Sequence, residues 1–375
     1  MIARLRSQLL LPTGAVVLAL LVGAVALIAS SPLVKGYVDL GLPLATYGAL
    51  VQGSLLSVNG LVDTIVNATP LILVGLAVGF GFKAGLFNIG GQGQFLMGAV
   101  ASAAAGAALN QSSPFIAIPV SLLAGMAVGA AYGFIPGFLK AFTGAHEVVT
   151  TIMLNYVAIY VIAYLITGPL RQAGASFAVS PDVGAARLPA ILNVGTGHAG
   201  HVGILFPLLV VPGMWWLLYR STIGFEIRTV GANPDAALYA GMRPRRLVVL
   251  ALTLGGLLAG LAGAVEILGV SGNMPAAYST NIGFDAITVA LLGRANPIGI
   301  VFGGLLLGAM HAGAPLMETI ADVPRQMVDL LQGIILFFLA ADVLVRRVFR
   351  IRAAAAGVEE LQTVTRTYGG QTTAP

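Results

Sequence analysis

The sequence predicts an all-α, polytopic membrane protein of about ten transmembrane helices, some of them broken or re-entrant. Three observations carry that expectation. Hydrophobic residues make up 58% of the chain and charged residues only 9%, where an ordinary soluble domain has about a quarter of its residues charged. Mean hydropathy is +0.94. The apolar residues also fall in runs of about twenty, the length that crosses a bilayer as a helix. Glycine is frequent, at 49 residues, as expected where helices in lipid approach through small side chains, so no single glycine in these runs marks a site. Cysteine is absent, which excludes disulfides, thiol catalysis and cysteine metal sites.

Arg4 and Arg6 precede the first apolar run, Leu9 to Ile28. Small residues follow it, as after a signal peptide, but the run exceeds the roughly 7–15 residues of a signal's apolar region and is expected to remain as the first helix. The Gly-punctuated, amphipathic stretch 32–60 is expected to lie along the outer surface. A second span covers 61–82. After it comes FKAGLFNIGGQGQF, Phe82 to Phe95, whose polar side chains and clustered glycines would be costly in lipid. Its backbone is expected to bend inside the protein or beside a water-filled path, where translocation would occur. Spans three and four follow at 94–109 and 115–138, a short polar loop at 139–147, and span five at 148–167 with Asn155 and Tyr156 inside it. A long loop, 168–202, leads to span six at 203–219.

Between Arg220 and Arg246 the sequence turns polar, with seven Asp, Glu, Lys and Arg residues. Asn233 suits a helix N-cap, Pro234 the first helical position, Asp235 the positive end of the dipole, and Gly241 a C-terminal stop. These residues describe one short helix of about two turns. Ala236, Ala237, Leu238, Tyr239 and Ala240 give it a small, mostly apolar surface that fits a groove in a partner protein. A loop that merely fixes orientation is the plainer alternative, but its internal order favours docking.

Span seven covers 247–270, with Glu266 near its end. In 271–299 a short apolar segment is followed by Gly-Arg-Ala-Asn-Pro; it is too short for an ordinary crossing and reads as a broken or re-entrant helix. Runs at 298–319 and 326–345 complete the crossings, and RRVFRIR makes a basic stop. Residues 1–352 therefore read as one transmembrane domain carrying a cytoplasmic loop at 220–246, and 353–375 as a disordered cytoplasmic tail. With the N-terminus inside, all but four of the 19 Lys and Arg residues, Lys35, Arg171, Arg187 and Arg325, fall on the inner face. That asymmetry is the one expected of a membrane protein, and it puts both termini and the 220–246 loop in the cytoplasm. The pI near 9.6 thus reflects membrane lipid and orientation, not nucleic acid.

Several motifs are expected to carry nothing. GTGHAG at 195–200 lacks the strand a dinucleotide site needs. HAGH at 198–201 has no nearby carboxylate, His146 falls in an inner loop, and His311 reads as a packed polar residue within a span. No G-x-x-x-x-G-K-S/T occurs, so ATP hydrolysis, if used, is expected from another polypeptide.

Polar groups inside spans are costly and become functional candidates. They are Asn88, Gln92, Gln94, Asn155, Glu266, Asp285 and Asn296, with Phe87, Tyr156 and Phe284 as aromatic neighbours. Aromatic faces and amides suit a nucleoside; they would also suit a sugar. The competing reading is that these amides cap broken segments or bond neighbouring helices. Asn88 and Gln92 are favoured because they sit in the bent segment.

Three stretches carry a family resemblance. GFEIRTVGANPDAALYAGM with the following run 247–264 is similar to the loop by which permease subunits of ABC importers contact their ATPase, in the branch carrying simple sugars, branched-chain amino acids and nucleosides. FNIG-x-x-GQ within 82–95 resembles the nucleoside-type permeases, and LLGR-x-NP-x-G within 271–299 resembles the same family. The resemblance implies an ABC importer permease fold in the bacterial inner membrane. It implies that 233–241 is a coupling helix seated in a cleft of the ATPase, with Glu226, Arg228, Asn233, Pro234, Asp235, Leu238, Tyr239 and Gly241 as coupling residues. From the polar and aromatic groups inside the spans, the substrate path is expected along Phe87, Asn88, Gln92, Gln94, Asn155, Tyr156, Phe284 and Asp285. The partners would be an ABC ATPase subunit, a second homologous permease subunit and an extracytoplasmic solute-binding lipoprotein. The chain would bind no cofactor and no metal, ATP being hydrolysed by the partner, and would be no enzyme. The rival from another class is an ion-gradient-driven secondary transporter using Glu266 and Asp285; a sugar or branched-chain amino acid as the solute also stays open.

Overall fold

A computed structural model describes residues 2–192, 200–278 and 280–348. The 195–200 and 198–201 motifs in large part, and the 353–375 tail entirely, lie outside those residues. The chain is helical almost throughout: α1 (Ile2–Lys35), α2 (Leu42–Ser54), α3 (Val58–Lys83), α4 (Gly91–Ala108), α5 (Pro114–Thr143), α6 (Glu147–Thr167), α7 (Phe206–Arg220), α8 (Thr222–Ala232), α9 (Pro234–Tyr239), α10 (Pro244–Glu266), α11 (Ile282–Leu292), α12 (Pro297–Ala321), α13 (Gln326–Ala340) and α14 (Asp342–Val348). Among the described residues seven helical stretches are long and apolar enough to cross a membrane: 10–32, 58–83, 114–143, 147–167, 202–220, 244–271 and 297–321. α11 and α13 are apolar but shorter.

α3 sits at the centre, its residues from Ala68 to Gly81 all buried. Around it, glycines set the spacing. On α5, Gly125, Gly129, Gly133 and Gly137 recur every four residues and therefore share one face. Gly125, Gly129 and Gly133 meet Gly256 and Gly260 of α10 so closely that a Cβ on either α10 glycine would lie 2.3 Å from a carbonyl oxygen of α5, and Gly137 lies against Val249. Gly98 of α4 closes on Gly260 in the same way. Without a hydrophobic force between helices in lipid, close van der Waals contact of this kind holds the bundle together. α12 runs antiparallel to α3, with Ile300 beside Gly79, Gly304 beside Ile72 and Gly308 beside Thr64. The end of α3 at Lys83 and the end of α12 at Ala321 therefore mark two opposite faces, here called the basic face and the far face.

Several expectations are corrected. Residues 32–60 do not trail along the surface: α2 forms there and buries Leu42, Pro43, Thr46, Ala49, Leu50 and Ser54. Its backbone lies against Gly313, where any side chain would strike the Leu50 carbonyl. The loop expected over 139–147 is shorter, residues 144–146, because α5 continues to Thr143 and α6 begins at Glu147. Across the turn an ion pair joins the two helices, Lys140 Nζ to Glu147 Oε2 at 2.8 Å, with both side chains buried. The bend in 82–95 is confined to 84–90, so Gln92 and Gln94 lie in the first turn of α4. The 220–246 stretch holds two helices, α8 and α9, not one. The last apolar run breaks at Ala341, between α13 and α14.

Residues 168–192 fold over the far end of α10. Ser180 and Met274 exchange hydrogen bonds, Leu188 N–H donates to the Leu268 carbonyl, and a two-strand pairing joins β1 (Ala190–Leu192) to β2 (Gly200–His201).

Candidate functional site

The broken segment is held by amides. After α3 ends at Lys83, Gly85 takes φ +71°; the N–H groups of residues 84–86 close back on α3 carbonyls, and those of Gly90 and Gly93 are met by side-chain amides. Asn88 and Gln94 face each other amide to amide: Asn88 Nδ2 donates to Gln94 Oε1 at 3.1 Å and Gln94 Nε2 returns a bond to Asn88 Oδ1 at 3.3 Å. Asn88 Oδ1 also accepts from Gly90 N–H at 3.0 Å. Asn155, from the middle of α6, accepts from Gly93 N–H at 2.8 Å and donates to the Ile89 carbonyl at 3.0 Å. Gln92 reaches the start of α11, donating to the Thr280 carbonyl at 2.6 Å and accepting from Gly283 N–H at 2.7 Å. All four side chains are buried.

Three helices therefore meet at one amide cluster. Gly91 packs on Val74 and Val78, five to nine residues back from Lys83, which at about 1.5 Å per residue puts the cluster roughly 7–14 Å inside the basic face. At that depth each buried, unpaired backbone group would cost several kcal/mol, and the amides remove that cost.

The second break follows α11. Arg294 and Ala295 both take φ +52°, and Asn296 Oδ1 accepts from Ile298 N–H at 3.0 Å to start α12, with Pro297 in the first turn. Gly293 lies against the Gly299–Ile300 backbone. LLGRANPIG is thus a left-handed turn followed by a capped helix.

On the basic face α9 is capped at both ends as its sequence requires. Asn233 Oδ1 accepts from Asp235 and Ala236 N–H at 3.1 and 3.0 Å. Gly241 takes φ +79°; its N–H bonds the Leu238 carbonyl while Met242 N–H bonds that of Ala237, the Schellman pattern. Ala237 is buried, whereas Leu238 is 63% and Tyr239 93% exposed. Ahead of it, Ser221 caps α8 through Gly224 N–H, and the Arg228 guanidinium lies 5.3 Å from the Tyr219 ring centre. Glu226 is half-buried on the same helix. α8 then grips the first break: a Cβ on Gly231 would lie 2.2 Å from the Lys83 carbonyl oxygen and 2.8 Å from Gly85 N. The docking stretch, the FNIGGQGQ break and the start of α11 form one continuous set of contacts.

The aromatic candidates are placed differently. Phe87 packs on Phe82 with ring centres 5.1 Å apart. Tyr156 is 56% exposed on the outward side of α6, and Phe284 is also exposed. Asp285, mostly buried in the first turn of α11, has Oδ2 3.5 Å from His311 Nε2, and Gln332 donates to the same nitrogen at 2.7 Å. Glu266 receives the Tyr278 hydroxyl at 3.5 Å. Sequence reasoning passed over Gln332 and Gly231. Gln332 carried a usable signal, as the only amide between Met327 and Ala340 in an apolar helix; Gly231 carried none beyond its place in the docking motif. No group of three or more His, Asp or Glu that could hold a metal occurs among the described residues.

Comparison with known proteins is consistent across the chain. The family described as branched-chain amino acid transport system / permease component matches residues 60–340. The guanosine ABC transporter permease protein NupP of Bacillus subtilis is 38% identical over 349 residues, covering 92% of this chain and 97% of its own. The glucose ABC transporter permease protein TsgB13 of Haloferax volcanii is 35% identical over 345 residues, 90% and 88% of the two chains. The nucleoside ABC transporter permease protein NupB of Lactococcus lactis is 32% identical over 354 residues, 90% and 92%. No solved structure matches the chain.

Proposed function

The chain belongs to the branched-chain amino acid transport system permease family, a multi-pass membrane family of transport components, and we propose that it forms the translocation path of an ATP-driven importer for nucleosides or similar small solutes. The observation that carries this reading is α9. An exposed tyrosine and leucine on a helix capped at both ends, standing on the basic face, are what a groove in a separate ATPase would take. The 15-residue linkage from Thr222 to Ala236 then connects that handle through Gly231 to the break at 84–90.

In this reading ATP binding to the partner moves α8 and α9, α8 shifts the Lys83–Gly90 turn, and the amide cluster passes the movement to α4, α6 and α11. The basic face is cytoplasmic, as are both termini. A second homologous permease chain completes the path, and a solute-binding lipoprotein delivers the solute from outside. ATP is hydrolysed by the partner; this chain supplies no chemistry of its own. Asn88, Gln92, Gln94 and Asn155 spend their polar atoms on the backbone and, for the Asn88–Gln94 pair, on one another, so their role is to hold the path's shape. Contact with solute falls to the exposed aromatics, Tyr156 and Phe284, and to the Asp285 region. Nucleoside is preferred over glucose because two of the three relatives named above carry a nucleoside or guanosine in their names.

The test is uptake by vesicles containing the complete importer, with ATP held inside and ion gradients dissipated. Uptake of radiolabelled guanosine or uridine should persist without gradients and stop without ATP. Uptake that follows the gradient and ignores ATP would instead establish a secondary carrier.

A further inference from the structure

α6 shows two different faces. Thr151, Asn155, Ala158 and Ile162 are buried, with Thr151 against Gly90 and Asn155 against Gly93. At about 100° per residue, Tyr156 and Tyr160 lie about 100° and 140° round the helix from Asn155, and they are 56% and 73% exposed. Both sit deep. Tyr156 is nine residues from Glu147 and eleven from Thr167, the ends of α6, and Tyr160 is thirteen and seven from them. At about 1.5 Å per residue each lies at least about 10 Å from either end. Side chains on a helix lean toward its N-terminus, which carries the Tyr160 hydroxyl toward the middle of the span and not out to the far face.

Neither hydroxyl has a hydrogen-bond partner among the described residues. Those of Tyr47 and Tyr132 do: they donate to the Leu20 and Leu154 carbonyls, both at 2.7 Å. Hydrocarbon offers an unpaired hydroxyl nothing, so burying it there costs free energy. The other six crossing stretches avoid that cost. Among their described residues, no exposed side chain at least about 10 Å from both ends can form a hydrogen bond; Leu20 and Val22 of α1 and Leu123 and Phe134 of α5 stand there instead. Water satisfies both phenols, and lipid satisfies neither. From Val148 to Thr167 the helix holds no charged residue and no histidine. The face therefore gives a zwitterionic amino acid no ionic partner, and gives an uncharged solute two aromatic faces with a hydroxyl on each.

We propose that the outward face of α6 walls the aqueous path, and that Tyr156 and Tyr160 bind an uncharged nucleoside there, its base stacking on a phenol ring and its ribose hydroxyls meeting the phenolic oxygens. The inference rests on the importer reading above and extends it to Tyr160 and to the part of the solute that is recognised. Asn155 directly precedes Tyr156, so the clamp on Gly93 and Ile89 that receives the movement of the broken segment also moves this wall.

The sequence has no cysteine, so Tyr156→Cys and Tyr160→Cys each report on one position. Leu123→Cys is the control, 61% exposed and nine residues into α5. Vesicles holding the complete importer are treated, with and without ATP, with a charged methanethiosulfonate, which needs a thiolate and so reads contact with water. Positions 156 and 160 should react at least about tenfold faster than 123 in one of the two conditions. Reaction at either position as slow as at 123 in both conditions, whether lipid or a second chain covers it, overturns the proposal. A second measurement is independent of labelling. Tyr160→Ala should lower ATP-driven uridine uptake at least about fivefold, the scale of one lost base–aromatic contact, at equal membrane levels and with the ATPase still co-purifying. Tyr160→Phe, which keeps the stacking face, should fall between it and the wild type. Unchanged uptake in Tyr160→Ala, or an equal loss in both variants, overturns the proposal as well. A wild-type importer that takes up no nucleoside or sugar with ATP would refute the underlying reading instead.

Discussion

Gly231→Ala tests whether α8 transmits movement to the broken segment. The added methyl would stand 2.2 Å from the Lys83 carbonyl oxygen, 2.8 Å from Gly85 N and 2.9 Å from the Ala84 carbonyl carbon, where ordinary contact begins at 3.4 Å. All three neighbours are backbone atoms, so no side chain can rotate away, and α8 must retreat by about 1.2 Å, the difference between 3.4 and 2.2 Å. Overpacking of this kind costs about 1–3 kcal/mol. Were that cost to fall on the coupled state, coupling would drop about 5- to 150-fold. The assay is ATP-dependent uptake by the reconstituted importer, normalised to the amount of chain in the membrane. Gly213→Ala on α7, where nothing lies within 4 Å, is the control and should transport normally. Wild-type uptake by Gly231→Ala at equal membrane levels would refute the claim that this contact carries the stroke.

Three further outcomes follow from the geometry. Asn155→Ala strips partners from Gly93 N–H and the Ile89 carbonyl; with about 1–3 kcal/mol for each buried group left unpaired, thermal unfolding in detergent should shift down clearly, and an unshifted transition would show the clamp to be dispensable. Lys140→Met leaves Glu147 buried without its cation, a change costing about 3–5 kcal/mol in comparable pairs; the double variant Lys140→Met, Glu147→Leu should recover most of that loss, and equal instability of single and double variants would contradict it. Replacing both Leu238 and Tyr239 by Ala touches only exposed side chains, so the chain should insert and unfold as the wild type while co-purification of the ATPase falls about tenfold or more; unchanged co-purification would remove them from the interface.

Where sequence and structure agree, the agreement has a local cause. Lipid forces an apolar run of about twenty residues on every full crossing, so spans such as 61–82 and 148–167 were legible within a few residues of α3 and α6. The caps of α9 were equally legible, since Asn233, Pro234 and Gly241 act within one turn. α8 was not: Thr222 to Ala232 buries only Gly224, Ile227 and Val230, too thin a stripe to stand out beside Glu226 and Arg228. Lys140 read as a loop residue because its partner, Glu147, cancels its charge only once the two helices fold together. The amide candidates were found by type, but the partners of Gln92 and Asn155 lie across 62 to 191 residues of sequence, a distance no periodicity spans. That is why their holding role emerged only from the fold.

The account turns on α9 as the handle of a separate motor, and a cysteine placed there tests it most directly, because the chain has none of its own. With Tyr239→Cys in the complete importer, a membrane-impermeant maleimide should label the position in inside-out vesicles and not in intact cells. A short bifunctional reagent should then link it to the ATPase subunit, in a yield that changes when ATP is added. Labelling from outside the intact cell, or cross-linking to no ATPase, would contradict the account.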